Sequence, residues 1–277
     1  MLVFSNCKIN IGLHVTEKRA DGYHNIETIF YPVNWCDILE IVPSTSITGK
    51  GIYFESSGNI IPGNPSENLC LKAIELLRKD FDIPGLEIYL HKLLPMGAGL
   101  GGGSSNGAFT IRLLNKLFNL NLDKTAEKHY ASQLGSDCSF FIENTPCFAQ
   151  GKGEILAPIS LNLNQYYILL VKPNIHVSTA EAYAAIKPKK ADYSLKELSI
   201  TTINEWKQFV VNDFEPVVLE KYPLIEALKS TMYQNGAVYA SMSGSGASVY
   251  GIFNTQPSLH LFANKGTVWA GKLSLSQ

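Results

Sequence analysis

The hydrophobic positions change spacing along the chain, and the changes mark its elements. Apolar runs over Val3–Leu13, Glu27–Val33 and Asp37–Val42 predict strands, with Asp21-Gly22 as a turn signal between the first two. Residues 47–65 are rich in Gly, Ser and Asn and predict strands with loops. Helical spacing follows Asn68, over Leu69–Phe81. An apolar run over Leu86–Leu94 predicts another strand, and a glycine-rich stretch follows it. Ala108, Ile111, Leu114 and Leu117 then share one face of a helix over Ser104–Phe118. A helix over Asp123–Leu134 comes next, then short strands through Ala157.

The second part opens on a strand, Tyr166–Lys172. Helices are predicted over Thr179–Ile186, Ile203–Val211 and Leu224–Gln234, and strands over Ala237–Met242 and Ser248–Phe253. The mixture is α+β with no fixed-period repeat. Pro158 and an Asn-rich turn interrupt the pattern, so the chain is expected to divide into domains 1–157 and 158–277.

Strand, glycine loop and helix start together make a phosphate cradle. Glycine lets backbone N–H groups approach an anion and tolerates positive φ, and a helix start adds unpaired donors and partial positive charge. Ser104 and Ser105 supply hydroxyls where a cap or a metal-bound phosphate would use them. The loop fits no common template. No lysine follows the glycines, so it is not a Walker A loop. Gly97-Ala-Gly-Leu-Gly-Gly102 satisfies G-x-G-x-x-G, but Asp123, at the distance of the dinucleotide fold's acidic residue, starts a helix rather than ending a strand. A flexible surface loop is the plainer reading.

Four other segments carry chemistry, each beside a plainer reading. Lys8 and Asn10 share one face of a strand by two-residue alternation. Lys8 is either an edge-strand lysine or a lysine with a charge partner. Tyr23-His24 is a surface turn or a site for a planar ring. Asp137, after Leu134-Gly-Ser, is a helix N-cap or a poised base. Ser241-Met-Ser-Gly-Ser-Gly-Ala247 is a hairpin turn or a second small-residue loop able to approach phosphate or the first loop closely.

Composition narrows the class. The chain has 277 residues, 45% hydrophobic and 17% charged, with net charge −1. That is ordinary globular composition, with no field to draw in nucleic acid or a membrane surface. Five scattered cysteines (Cys7, Cys36, Cys70, Cys138, Cys147) form no metal-binding spacing and predict free thiols in a reducing compartment. The N-terminus lacks a secretory pattern and no run of 18 apolar residues exists, so a cytoplasmic protein is expected.

The order and wording of the motifs are more specific than any one of them. Pro95-x-x-x-Gly-Leu-Gly-Gly-Gly-Ser-Ser105 resembles the second motif of the GHMP kinase superfamily. Lys8-Ile-Asn10 resembles its first, and Ser243-Gly-Ser-Gly-Ala247 its third. Arg19-Ala-Asp-Gly-Tyr-His24 and Leu134-Gly-Ser-Asp137 look like signatures of the branch whose acceptor alcohol carries a cytidine diphosphate. The resemblance runs from Asn6 to Ala247. Cys7 and Gly107 stand where the family usually has alanine.

The resemblance implies a two-domain α+β GHMP fold, with an N-terminal ribosomal-protein-S5-like nucleotide domain and a C-terminal ferredoxin-like α/β domain. It implies ATP and Mg²⁺ as cofactors and a small-molecule substrate, CDP-linked methylerythritol, phosphorylated on its 2-hydroxyl. Lys8 and Asp137 match the catalytic pair. Asn68, Pro95, Gly97, Gly99, Gly101, Gly102, Gly103, Ser104 and Ser105 match the ATP site, with Ser105 the candidate for Mg²⁺. Asn10, Tyr23, His24, Thr179 and Tyr183 match substrate contacts, with aromatics sandwiching the cytosine. A monomer or homodimer is expected, with no nucleic acid or membrane partner. Two other readings remain: a GHMP kinase of the mevalonate type, and a non-catalytic nucleotide-binding relative. Tyr23-His24 speaks against the first, and the presence of both Lys8 and Asp137 against the second.

Overall fold

The computed structural model of the chain describes residues 1–274. Its elements run β1 (Leu2–Lys18), β2 (His24–Pro43), β3 (Ile52–Gly58), α1 (Leu69–Leu77), β4 (Leu86–Lys92), α2 (Gly102–Phe118), α3 (Lys124–Leu134), α4 (Phe140–Glu143) and β5 (Cys147–Gln150). Then come β6 (Ile155–Pro158), β7 (Tyr167–Lys172), α5 (Thr179–Ala185), α6 (Glu215–Lys221), α7 (Pro223–Gln234), β8 (Ala237–Met242), β9 (Val249–Phe253) and β10 (Thr267–Lys272). The α+β class holds.

The chain forms two compact units, neither continuous in sequence. The first comprises Met1–Cys7, Cys36–Met96 and Gly101–Asn144; the second comprises Lys8–Trp35, Gly97–Leu100 and Thr145–Gln277. The sequence division at 157/158 is a single cut, whereas β1 and β2 each run through both units.

In the first unit, β4 pairs antiparallel with the C-terminal half of β2, from Ile38 opposite His91 to Pro43 opposite Leu86. It pairs parallel with β3 on its other side. Leu86, Ile88, Leu90 and Lys92 are the buried positions of β4. Local chemistry sets the helix ends. Asn68 caps α1, its side chain accepting from the Cys70 N–H at 2.9 Å. Asp123 caps α3 by accepting from Ala126 N–H at 2.8 Å. Asn119, left-handed at φ 51, ends α2. Gly107 is a packing requirement: a Cβ there would lie 2.9 Å from Leu69 Cβ, so its absence lets α1 and α2 approach.

In the second unit, the first half of β2 pairs with β5, and β5 with β6. A separate antiparallel sheet has the order β10-β7-β9-β8. Its core includes Leu169, Val171, Phe214, Ile225, Met232, Met242 and Val249.

Several expectations are corrected. Glu27–Val33 and Asp37–Val42 belong to one 20-residue strand. The interval reads as a break because Asn34 is polar, but its amide donates to the Ser274 carbonyl at 2.5 Å and Trp35 is buried. The predicted helix at 203–211 is a 3-10 segment, Ile203–Gln208. α4, α6 and β10 were not anticipated. None of the five cysteines forms a disulfide.

Candidate active site

The glycine stretch takes its shape from backbone conformation. Gly97, Gly99 and Gly101 have φ of 58, 72 and 69°, a region that costs other residues free energy. Gly101 is the N-cap of α2, with no side-chain cap. The first-turn N–H groups are therefore left for an anion. Nothing lies within 4 Å of a Cβ built on Gly103, so that side of the run is open. Ser104 shares a hydrogen bond with the Cys138 thiol, which burial pushes up to about 12, with Asp137 adding to the rise. Ser105 is fully buried, and its hydroxyl has no hydrogen-bond partner among the described residues. Pro95 precedes the loop and Asn68 serves as the α1 cap described above.

In the second unit, Lys8 is 4% exposed, so the edge-strand reading fails. Burying an ammonium demands partners. Lys8 Nζ donates to Asn10 Oδ1 at 2.6 Å and sits 4.6 Å from the Phe30 ring centroid. Asn10 in turn donates to Thr28 Oγ1 at 3.1 Å, and Thr28 donates to the Gly12 carbonyl at 2.6 Å. The Lys8 backbone N–H donates to the Leu100 carbonyl at 2.9 Å, tying this strand to the glycine stretch.

The loop at 243–247 packs on the glycine stretch, as its small residues suggested. Ser243 Oγ donates to the Gly99 carbonyl at 2.9 Å and accepts from the Asn10 N–H at 3.2 Å. A Cβ on Gly99 would fall 2.1 Å from the Ser243 carbonyl oxygen. Asn212 holds the loop from behind, donating to the carbonyls of Met242 and Gly244 at 2.9 Å each.

An aromatic cluster belongs to the same unit. His24 stacks on Tyr183 at 4.9 Å with planes 23° apart, and Tyr183 meets Phe214 edge-on at 4.8 Å. Tyr23 is 60% exposed, and Lys152 Nζ stands 4.7 Å from its ring centroid. The turn is braced by Arg19, whose hydrogen bond holds the Asp21 carboxyl below the usual range. Asp21 accepts from the Tyr23 N–H at 3.1 Å. The ring lying on Tyr183 is thus His24, not Tyr23. Thr179 Oγ1 lies 2.9 Å from Ser245 Oγ, linking the start of α5 to the 243–247 loop.

Asp137 lies in the first unit, half-buried in the turn between α3 and α4. The residue at the N-cap of α4 is Ser139, so the capping reading of Asp137 fails. Three residues escaped the sequence reading. Lys152 sits in a turn that gave no signal. His176 comes within 3.7 Å of a Cβ built on Gly97. Lys92 lies buried in the strand leading to the loop; its inward phase with Leu86, Ile88 and Leu90 was the available clue. Among the described residues no group of three or more His, Cys, Asp or Glu is arranged to hold a metal, and no helix is long and apolar enough to cross a membrane.

Residues 68–147 match the family described as GHMP kinases N terminal domain, and residues 194–266 match GHMP kinases C terminal. The chain is 51% identical, over 94% of its length and 94% of the relative, to a 4-diphosphocytidyl-2-C-methyl-D-erythritol kinase of Bacteroides thetaiotaomicron. It is 49% identical to the kinase of that name from Cytophaga hutchinsonii, covering 93% of the chain and 94% of the relative. A crystal structure of 4-(cytidine 5'-diphospho)-2C-methyl-D-erythritol kinase superposes with TM-score 0.81 at 27% identity, over 98% of each chain. A Methanococcus jannaschii mevalonate kinase gives TM-score 0.67 at 16% identity over 98% and 96%, a likeness of fold alone.

Proposed function

The chain belongs to the GHMP kinases, among the 4-diphosphocytidyl-2-C-methyl-D-erythritol kinases, and from this we infer that it transfers the terminal phosphoryl group of ATP to the 2-hydroxyl of that cytidine-linked alcohol. The reaction serves the non-mevalonate route to isoprenoids. One observation in the site favours this acceptor over others on the same fold: the His24–Tyr183 stack, beside exposed Tyr23. An acceptor without a base gives such rings nothing to hold.

Phosphoryl transfer asks a protein mainly for positioning and charge neutralisation. We assign the glycine stretch and the open first turn of α2 to the ATP phosphates, where backbone donors stabilise charge without reorganising. Asp137 accepts or orients the proton of the attacking hydroxyl. Lys8, fixed by Asn10 and the Phe30 face, supplies a cation for the reacting oxygens. Asn10 and Thr179 orient the alcohol, and Tyr183 with the Tyr23-His24 turn holds the cytosine. The buried Ser105 hydroxyl, unpartnered among the described residues, fits a role in binding Mg²⁺, with Ser104 beside it. An oxygen donor suits this ion, which usually takes few protein ligands and relies on phosphate oxygens and water. Bound there, it would neutralise phosphate charge.

The deciding experiment is a coupled ADP-release assay with four acceptors: the cytidine-linked methylerythritol, mevalonate, homoserine and galactose. Turnover with the first alone is expected. Preference for mevalonate would transfer the chain to the mevalonate-type reading.

A further inference from the structure

In the first unit, between the strand that enters the glycine stretch and the helix that leaves it, lies a buried polar network that no step of the proposed reaction uses. Asp37 is 0% exposed, Lys92 1%, Asn106 3% and Ser5 0%. Asp37 Oδ1 accepts from two consecutive backbone N–H groups, those of Leu93 and Leu94, at 2.8 Å each. These residues carry the chain from β4 into the loop. Asp37 Oδ2 pairs with Lys92 Nζ and accepts from Asn106 Nδ2 at 3.0 Å. Asn106 is in the second turn of α2, just beyond the loop. Its Oδ1 accepts from Lys92 Nζ at 3.0 Å, and its Nδ2 also donates to Ser5 Oγ at 2.8 Å. The Lys92 ammonium lies 3.6 Å from a Cβ built on Gly102, directly under the first residue of the helix.

One carboxylate thus grips the strand entering the loop and the helix leaving it. A buried ion pair is a costly way to gain stability, because well-packed apolar residues in its place often stabilise as much or more. What it supplies here is geometry: fixed bond directions at both ends of a segment whose glycines cannot fix themselves. We propose that Asp37, Lys92 and Asn106 are positioning residues that set the span and tilt of the glycine stretch for nucleotide binding. The proposal rests on the reading of that stretch as the ATP cradle. It assigns these residues no contact with the reacting atoms.

The test is nucleotide binding, measured by titration calorimetry with a non-hydrolysable ATP analogue, so it does not depend on the identity of the acceptor. Asn106→Ala leaves the ion pair in place and removes the helix-side grip. Asp37→Asn with Lys92→Gln removes both charges together. Each is expected to weaken analogue binding tenfold or more while leaving the dissociation constant for the cytidine-linked alcohol within twofold. Wild-type affinity for the analogue in either variant, or an equal loss for both ligands, would overturn the proposal. A second measurement uses the unmodified protein and needs no variant to fold. Amide hydrogen exchange at Leu93 and Leu94 should be slow and should slow further with the analogue bound. Fast exchange there, or exchange indifferent to nucleotide, refutes the clamp. If the clamp holds and the acceptor assay fails, the acceptor assignment alone is wrong.

Discussion

Two glycines four residues apart should respond to the same methyl group with opposite signs. At Gly99, alanine requires φ near +72°, which costs a non-glycine residue about 1–2 kcal/mol. Its Cβ would also stand 2.1 Å from the Ser243 carbonyl oxygen, where 3.4 Å is an ordinary contact. Ser243 has little freedom to retreat, since its N–H donates to Ser248 at 2.9 Å and its hydroxyl to Gly99 itself. The two loops must part by roughly 1 Å, a displacement that costs about a hundredfold in rate when it misplaces reacting groups. At Gly103, φ is not positive and the added methyl meets nothing within 4 Å. There alanine is the better helix former, by up to about 1 kcal/mol. Differential scanning calorimetry and steady-state kinetics separate the two. Gly99→Ala should lower Tm by several degrees, at about 2–4 °C per kcal/mol, and reduce kcat about a hundredfold. Gly103→Ala should hold or raise Tm while raising the KM for ATP about tenfold, because its methyl occupies the open side of the cradle. A normal ATP KM in Gly103→Ala would mean that phosphate does not approach from that side. A stable, active Gly99→Ala would mean that the loop contact does not constrain the site.

Other outcomes follow from the same geometry. Asp137→Asn should lower kcat by several orders of magnitude with an unchanged melting curve; a wild-type rate would remove it as base or orienting group. Tyr183→Ala should mainly raise the KM for the cytidine substrate, since stacking is worth about 1–3 kcal/mol per base, roughly five- to 150-fold; an unchanged KM would move the cytosine elsewhere. Asn68→Ala loses the α1 cap, worth about 1 kcal/mol, and should lower Tm by about 2–4 °C; a raised ATP KM as well would show that the residue also serves the nucleotide. Burial raises the thiols of Cys36 and Cys70 to about 11 and Cys138 to about 12. In the unfolded chain these thiols ionise near pH 8.5, so stability should be level below that pH and fall above it, continuing to fall until the folded thiols themselves ionise. Denaturant midpoints from pH 7 to 10.5 check the sign; a midpoint that rises with pH would contradict it.

What the sequence made legible was local. Strand, glycine loop and helix could be read in order because their signals lie within thirty-odd adjacent residues. Most other elements were found, with ends a few residues off. What stayed hidden depended on distant residues. Lys8 looked like an edge lysine because alternation along a strand says nothing of whether both its faces are covered. Residues Ser5 to Val15 of β1 are all buried. Asp37 read as an unremarkable strand start, since Lys92 and Asn106, 55 and 69 residues away, give it its role. Gly107 stands out in the sequence only as a glycine where the family usually has alanine, and the nearness of Leu69 makes it a fitted contact. The Tyr23-His24 turn announced aromatic chemistry, but not which ring would lie on Tyr183. β10 was missed because Gly266 and Gly271 disguise an edge strand as a loop.

The two units share their first two strands, and this bears on how the protein is made. The second unit takes Lys8–Trp35 from the start of the chain and everything from Thr145 onward. On a ribosome, its opening hairpin emerges long before its partners and must wait for them, exposed, while the first unit already has all its pieces once Asn144 is out. Splitting the gene at 157/158 would strand that hairpin on the wrong fragment. Separately produced halves should therefore recover activity only by reassociating, with Leu13, Val15 and Ile26 of one fragment completing the core of the other.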